Sequence, residues 1–240
     1  MANETGWRYG ADGFPYLVGF GATMIGSTIF GCARLRRRGA ADRLVLGTVA
    51  VGVAASVPTF LGLRYVTRGK IALRDRMLDS IQWRGDEQVA DLGAGRGLLG
   101  IGAARRTQGT VHCVDLFIAK DLLGNSPDRL MINARRVGVA EQVEIRREDV
   151  KSVGLGDASV DVVLSALCLH NLNDAHDRAA ALSEAIRIVK PRGTIVISDL
   201  AHVDDEYAPV LKQAGFEVRI DAPVRNTFPP QRLLVALAPA

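Results

Sequence analysis

Residues Gln88 to Gly100 read QVADLGAGRGLLG. An apolar run ends in a carboxylate, Asp91; three alternating glycines follow at Gly93, Gly95 and Gly97; helix-compatible residues then continue from Leu98 to Thr107. That order predicts a buried strand, a tight turn and a helix start. Glycines at such a turn reach backbone angles closed to other residues and, lacking a Cβ, let a ligand lie against the main chain. A nucleotide-like group is the natural occupant, because the helix N-terminus offers it free amides and a favourable dipole.

Two chemistries fit these glycines. Gly95, Gly97 and Gly100 satisfy G-x-G-x-x-G, and Asp115 stands where a ribose-binding acid is expected in a nicotinamide-dependent oxidoreductase. Asp91, two residues before the first glycine, instead completes D-x-G-x-G-x-G. In this the chain, from about residue 71 to the end, resembles the class I S-adenosylmethionine-dependent methyltransferases. The resemblance implies an α/β fold: a Rossmann-like seven-stranded sheet with helices on both faces and one antiparallel member among its last strands. It also implies S-adenosyl-L-methionine as cofactor, held by Asp91, Gly93, Ala94, Gly95 and Gly97.

The residues downstream bear on both readings. Thr110 to Leu116 (TVHCVDL) is a β-branched, apolar strand, and a carboxylate at its end, Asp115, can accept both hydrogen bonds of a ribose diol. The resemblance gives Asp115 that role, with Leu116 beside it. Ser126 and Pro127 form a helix start, with Asn125 and Ser126 near a substrate opening or, for Ser126, simply capping. Val143 to Arg147 is a third strand. After it the resemblance assigns Asp149 to the adenine amino group, with Val150 following. A fourth strand over Asp157 to Ser165 leads into SALCLHNLND, Ser165 to Asp174, where the likeness is to quinone-biosynthesis and other small-molecule methyltransferases. Ser165 falls at the cofactor. His170 is a candidate base for an acceptor hydroxyl or thiol and Asn171 a candidate for orienting it, the alternative for His170 being a hydrogen-bonding plug. Ala175 to Val189 predicts a helix stopped by KPRG (190–193), followed by a strand over Thr194 to Asp199 and a short helix over Glu206 to Ala214. Phe216 to Asp221 and Leu233 to Ala238 form the last strand pair. The loop Asn226 to Gln231 (NTFPPQ) carries Phe228, either as a roof over an apolar pocket or as a rigid connector.

The first 70 residues are different. The chain has 240 residues, 48% of them hydrophobic, and the apolar ones are unevenly placed. Segments 13–33 and 44–63 contain no charged residue, and each approaches the roughly 20 residues that cross a bilayer as a helix. This divides the chain into a membrane-attachment region, 1–70, and a catalytic domain, 71–240. Trp7, Tyr16 and Tyr65 suit membrane interfaces. With the cofactor in the cytosol, the catalytic domain is expected to face the cytoplasm. A two-helix hairpin then puts the arginines of RLRRRGAADR (34–43) on the far side, against the positive-inside tendency, so one crossing and two both stay open. The net charge of +4, with arginine around the apolar segments, suits an anionic membrane surface. No aromatic-interleaved basic platform for nucleic acid is present.

Cys32, Cys113 and Cys168 form no CxxC pair, so no metal centre is expected. They also give no thiolate trio of the arsenite methyltransferase kind, although the likeness touches that group. The function expected is methyl transfer to an apolar small molecule at a membrane. Its rivals are the oxidoreductase and a catalytically silent cofactor-binding membrane protein.

Overall fold

The computed structural model describes residues 5–10, 14–39, 42–118, 122–224 and 227–240. Gly13 and Asn226, which begin the first apolar segment and the proline-rich loop, lie outside the described residues, as does the side chain of Tyr16.

Seven strands form one sheet: β1 (Val89–Leu92), β2 (Val111–Val114), β3 (Val143–Arg146), β4 (Val160–Ala166), β5 (Val189–Asp199), β6 (Glu217–Ile220) and β7 (Arg232–Leu237). Their order is β3-β2-β1-β4-β5-β7-β6. All neighbours are parallel except β7, which runs antiparallel to both β5 and β6. Dinucleotide-binding sheets take the order 3-2-1-4-5-6. The antiparallel β7 inserted between β5 and β6 therefore separates this fold from the oxidoreductase reading of the same glycines.

Side chains alternate across the sheet, so each face buries its own core. Val89, Val111, Cys113, Val162 and Leu164 point to one side. They pack there against Met77 and Leu78 of α3 (Lys70–Asp79), Leu99 and Ile101 of α4 (Leu98–Ala104) and Leu130 of α5 (Pro127–Val137). Ala90, Leu92, Val163, Ile195 and Ile197 point to the other side. Their partners are Leu182 and Ile188 of α6 (Ala175–Ile188), Tyr207, and Leu211 of α7 (Ala208–Gln213). Ser126 caps α5 by accepting the Arg129 amide at 3.2 Å, with Pro127 at the first helical position.

One expectation is corrected. KPRG (190–193) does not turn the chain out of a helix; it is the bulged start of β5, with Val189 paired to Val160 ahead of a register irregularity. The chain bends there by giving Arg192 a positive φ of 61°. The Arg192 amide donates to the Pro239 carbonyl and the Ala238 amide to the Gly193 carbonyl, both at 2.9 Å.

The N-terminal region is an antiparallel helical hairpin of α1 (Phe14–Arg37) and α2 (Asp42–Arg64). The helices touch through small residues. A Cβ on Gly21 would lie 2.4 Å from Thr59 Oγ1, and one on Gly52 only 2.0 Å from Thr28 Oγ1. Large apolar residues point outward instead: Ile29, Phe30, Leu46, Val51 and Phe60 are all about two-thirds exposed. The hydroxyls of Thr23, Thr28, Thr48, Ser56 and Thr67 each donate back to the carbonyl four residues earlier, at 2.8 to 2.9 Å.

Helix α2 does not end at the hairpin. It passes through a π-turn, Tyr65–Gly69, in which the Lys70 amide reaches back to the Tyr65 carbonyl, and continues as α3. The resulting 38-residue helix, Asp42–Asp79, is long and apolar enough to cross a membrane. The short turn Gly6–Tyr9 precedes α1 and packs on this π-turn; a Cβ on Gly6 would lie 2.0 Å from the Val66 carbonyl oxygen.

Candidate cofactor and acceptor site

Four loops at the carboxyl ends of β1 to β4 converge on a cavity of about 320 Å³, where ligands of open α/β sheets bind. The glycine loop after β1 forms its floor. Gly93 and Ala94 donate their amides to the Val114 carbonyl at 2.9 and 3.0 Å, which ties the loop to β2. Gly97 starts α4 at a φ of 86°, a left-handed conformation natural to glycine.

Asp91 is the last residue but one of β1, only 1% exposed, and accepts the Gly100 amide at 2.7 Å. Burial pushes its carboxyl up to about 7; the Gly100 bond opposes that change, and the charge of Asp115 adds to it. Asp115 follows β2. One of its oxygens accepts the Gly95 amide at 2.8 Å; the other accepts the Phe117 amide and, at 3.2 Å, the side-chain amide of Asn125. The remaining polar atom of Asn125, Oδ1, is buried in the cavity wall without a hydrogen-bond partner. An unsatisfied buried acceptor is costly, and a ligand hydroxyl would satisfy it. After β3, Asp149 accepts the Lys151 amide at 2.9 Å, and the Lys151 ammonium turns to Asp177 at 3.0 Å.

Asp91, Gly93, Ala94, Gly95, Asp115, Leu116, Asp149, Val150 and Asn171 all line the cavity. Of the candidates for cofactor binding and catalysis, three do not. Gly97 shapes the turn from behind. Ser165 spends its hydroxyl on the Leu92 carbonyl at 2.9 Å, within the sheet. The His170 ring is held by Asp199, which is 1% exposed, and Asp199 also accepts the His170 amide at 3.1 Å and the Tyr207 hydroxyl at 3.3 Å. His170 is thereby tied to the end of β5, outside the cavity lining.

Cavity residues with no motif to announce them come from the turn before α1, the π-turn after α2 and the start of α3. Tyr9, Tyr65, Lys70 and Leu73 close one side. Lys70, 3% exposed, donates to the Gly10 carbonyl at 3.1 Å and lies over the Tyr65 ring. Tyr65 accepts from Gln231, which in turn accepts from Ser198, at 2.9 and 3.0 Å. Cys168 also lines the cavity, and a Cβ on Gly93 would meet its sulfur at 2.3 Å.

Sheet order and the acidic strand ends define the class: a domain with the fold of the S-adenosylmethionine-dependent methyltransferases. Residues 90–197 match the family described as a methyltransferase domain. Dimethylglycine N-methyltransferase of Parasynechococcus marenigrum is 33% identical over 112 residues, covering 46% of this chain and 36% of that protein. Arsenite methyltransferase of Aquipseudomonas alcaligenes is 34% identical over 131 residues, covering 52% of this chain and 36% of the relative. The chain thus spans little more than a third of the length of these relatives. Geranyl diphosphate C-methyltransferase of Streptomyces coelicolor, solved with S-adenosyl-L-homocysteine, superposes with a TM-score of 0.57 at 18% identity. That likeness covers 70% of this chain and 79% of the other, and it speaks to the fold. Over residues 90–197 the chain is similar to methyltransferase domains, and its fold is the one seen in solved methyltransferases.

Proposed function

We propose that the protein is a membrane-attached methyltransferase that moves a methyl group from S-adenosyl-L-methionine to an apolar small molecule, with its catalytic domain facing the cytoplasm. The observation that carries the cofactor reading is the cavity in which Asp91, the glycine loop, Asp115 and Asp149 meet around the unsatisfied Asn125 oxygen. In this reading Asp115 and Asn125 take the ribose hydroxyls, Asp149 the adenine amino group, and Leu116 and Val150 the faces of the base.

S-adenosylmethionine held by the residues of this cavity would supply an electrophilic sulfonium methyl, with its sulfur as the leaving group. The chain's own residues orient the reactants and exclude water, effects worth several kcal/mol. Leu167, Cys168, Asn171 and Leu172 wall the cavity beyond β4, and Tyr65 and Leu73 wall it from the helix. Asn171 donates its side-chain amide to the Leu167 carbonyl at 3.3 Å, which leaves its carbonyl oxygen to orient an acceptor. A proton released from a hydroxyl or thiol acceptor passes to solvent.

The membrane reading rests on the hairpin's inverted packing. Small residues meet between its helices, large apolar ones face outward, and the hydroxyls of Thr28 and Ser56 are satisfied within their own helices, as lipid requires. An antiparallel pair with both feet on the catalytic domain favours two crossings, while the Asp42–Asp79 helix is the one among the described residues long and apolar enough to span by itself, so one crossing and two both stay open. Calorimetry on detergent-solubilised protein tests the cofactor: saturable binding of S-adenosylmethionine and S-adenosylhomocysteine but not NADH is expected, and NADH binding alone would overturn the assignment. Methyl-labelled cofactor incubated with membrane extract tests the acceptor, the label being expected in the organic phase.

A further inference from the structure

The mouth of the cavity and the feet of the hairpin coincide. Tyr9 belongs to the turn just before α1 and Tyr65 to the turn just after α2, and both line the cavity. The loop after β2 leans on the same place: Leu122 stands so near Gly10 that a Cβ there would meet its Cδ1 at 2.5 Å. Phe228 and Leu167 pack against Tyr65 and Val66 from the other side.

Exposed apolar residues gather at this mouth. Outside α1 and α2, six large hydrophobics are exposed among the described residues: Trp7, Leu116, Ile118, Leu123, Ile132 and Leu237. Four of the six frame the mouth, since Leu116 and Ile118 line it, Leu123 follows Leu122, and Trp7 sits in the turn that carries Tyr9. Their exposures run from 39% at Ile118 to 63% at Leu123, which is costly in water and natural in lipid. Arg64 and Arg68, both exposed, flank Tyr65 at the same level, where anionic headgroups would lie.

We infer that this rim is a second membrane-contacting surface: Trp7, Ile118 and Leu123 rest in the headgroup region, and the cavity opens onto the bilayer. The acceptor class follows. It is an amphiphile with a nucleophilic head and an apolar tail, which enters sideways from the lipid so that its head reaches the cofactor while its tail stays against the rim. The inference rests on insertion of the hairpin, and its test separates the two.

The protein is reconstituted in phosphatidylcholine and phosphatidylglycerol vesicles whose acyl chains are brominated near the headgroup, and tryptophan fluorescence is read. Trp83→Phe leaves Trp7 as the sole tryptophan. In a Trp7→Phe, Trp83→Phe background, Leu123→Trp probes the rim independently, Phe30→Trp the hairpin, and Lys212→Trp the exposed far side of the domain. At least twofold quenching is expected at position 7, at position 123 and at position 30, with none at position 212. Quenching at position 30 but at neither rim position overturns the rim surface and leaves hairpin insertion standing. No quenching at position 30 overturns both. Blue-shifted but unquenched emission at the rim would mean that protein, such as a second copy of this chain, covers the mouth, and this also overturns the inference.

Discussion

The carboxylate of Asp115, at the end of β2, holds the glycine loop after β1 by accepting the Gly95 amide at 2.8 Å. One side chain therefore both shapes the loop and lines the cavity. Asp115→Ala removes the loop tie and, in the proposed cofactor reading, two hydrogen bonds to a ribose diol. Cofactor affinity should fall by about 2 to 4 kcal/mol, measured by calorimetry. Unchanged affinity would take Asp115 out of the site.

The close approach of α4 to the sheet makes a second prediction. A Cβ on Gly100 would lie 2.5 Å from Cys113 Sγ and 3.1 Å from Asp91 Oδ2. Gly100→Ala should destabilise the fold by about 1 to 3 kcal/mol through overpacking. Cys113→Ala in the same chain should recover part of that loss, because the two positions share one contact. Additive losses in a thermal-denaturation cycle would contradict the packing.

Asp91 predicts a dependence on pH. Its carboxyl is raised in the folded protein from 3.8 to about 7, chiefly by burial, so between those values the folded state holds a proton that the unfolded chain has released. Stability from this group accordingly falls as pH climbs from about 4 to about 7. Asp91→Asn keeps an acceptor for the Gly100 amide and carries no charge. Relative to the parent it should gain up to about 4 kcal/mol across that range, since each pH unit between the two values contributes about 1.4 kcal/mol. A stability difference that is flat with pH would show that Asp91 ionises normally.

His170 offers a test between plug and base. Its ring is turned to Asp199, so His170→Ala should cost about 1 to 3 kcal/mol of stability by stripping a partner from a buried carboxylate. Turnover at saturating substrate should keep its pH profile. Loss of one limb of that profile, with cofactor affinity intact, would restore a catalytic role.

The hairpin predicts partitioning. Ile29 and Val51 are each 66% exposed on its outer surface. Ile29→Asp with Val51→Asp should move the protein from carbonate-washed membranes to the soluble fraction, since each carboxylate near a helix centre costs roughly 3 kcal/mol to insert. Retention in the membrane would argue that the hairpin attaches by other means.

The sheet was legible because a parallel strand buried on both faces and a glycine turn both leave local marks in sequence. Asp115 is legible from its place at a strand end, whereas Asp91 and Asp149 come through the resemblance; all three line the cavity. KPRG misled because proline and glycine beside a helix also serve a bulged strand start, and only the pairing of Val189 with Val160 distinguishes the two. Tyr9, Tyr65 and Lys70 were invisible as cavity residues for another reason: they lie well before the motif in the chain, and only the docking of the Gly6–Tyr9 turn on the π-turn brings them in. An aromatic beside an apolar segment suggests a membrane interface, and nothing local distinguishes that from a pocket wall.

The π-turn at Tyr65–Gly69 sets an azimuth. Each helical residue advances about 100° around the axis, so one residue more or fewer between Leu63 and Leu73 would swing the outward face of α2 by that angle relative to the cavity. The wide turn, closed by Lys70 on Tyr65, fixes this phase inside a helix with no break at which the two halves could rotate independently. Hairpin and cavity are keyed to one another like parts on a single shaft, so whatever orients the first also aims the second.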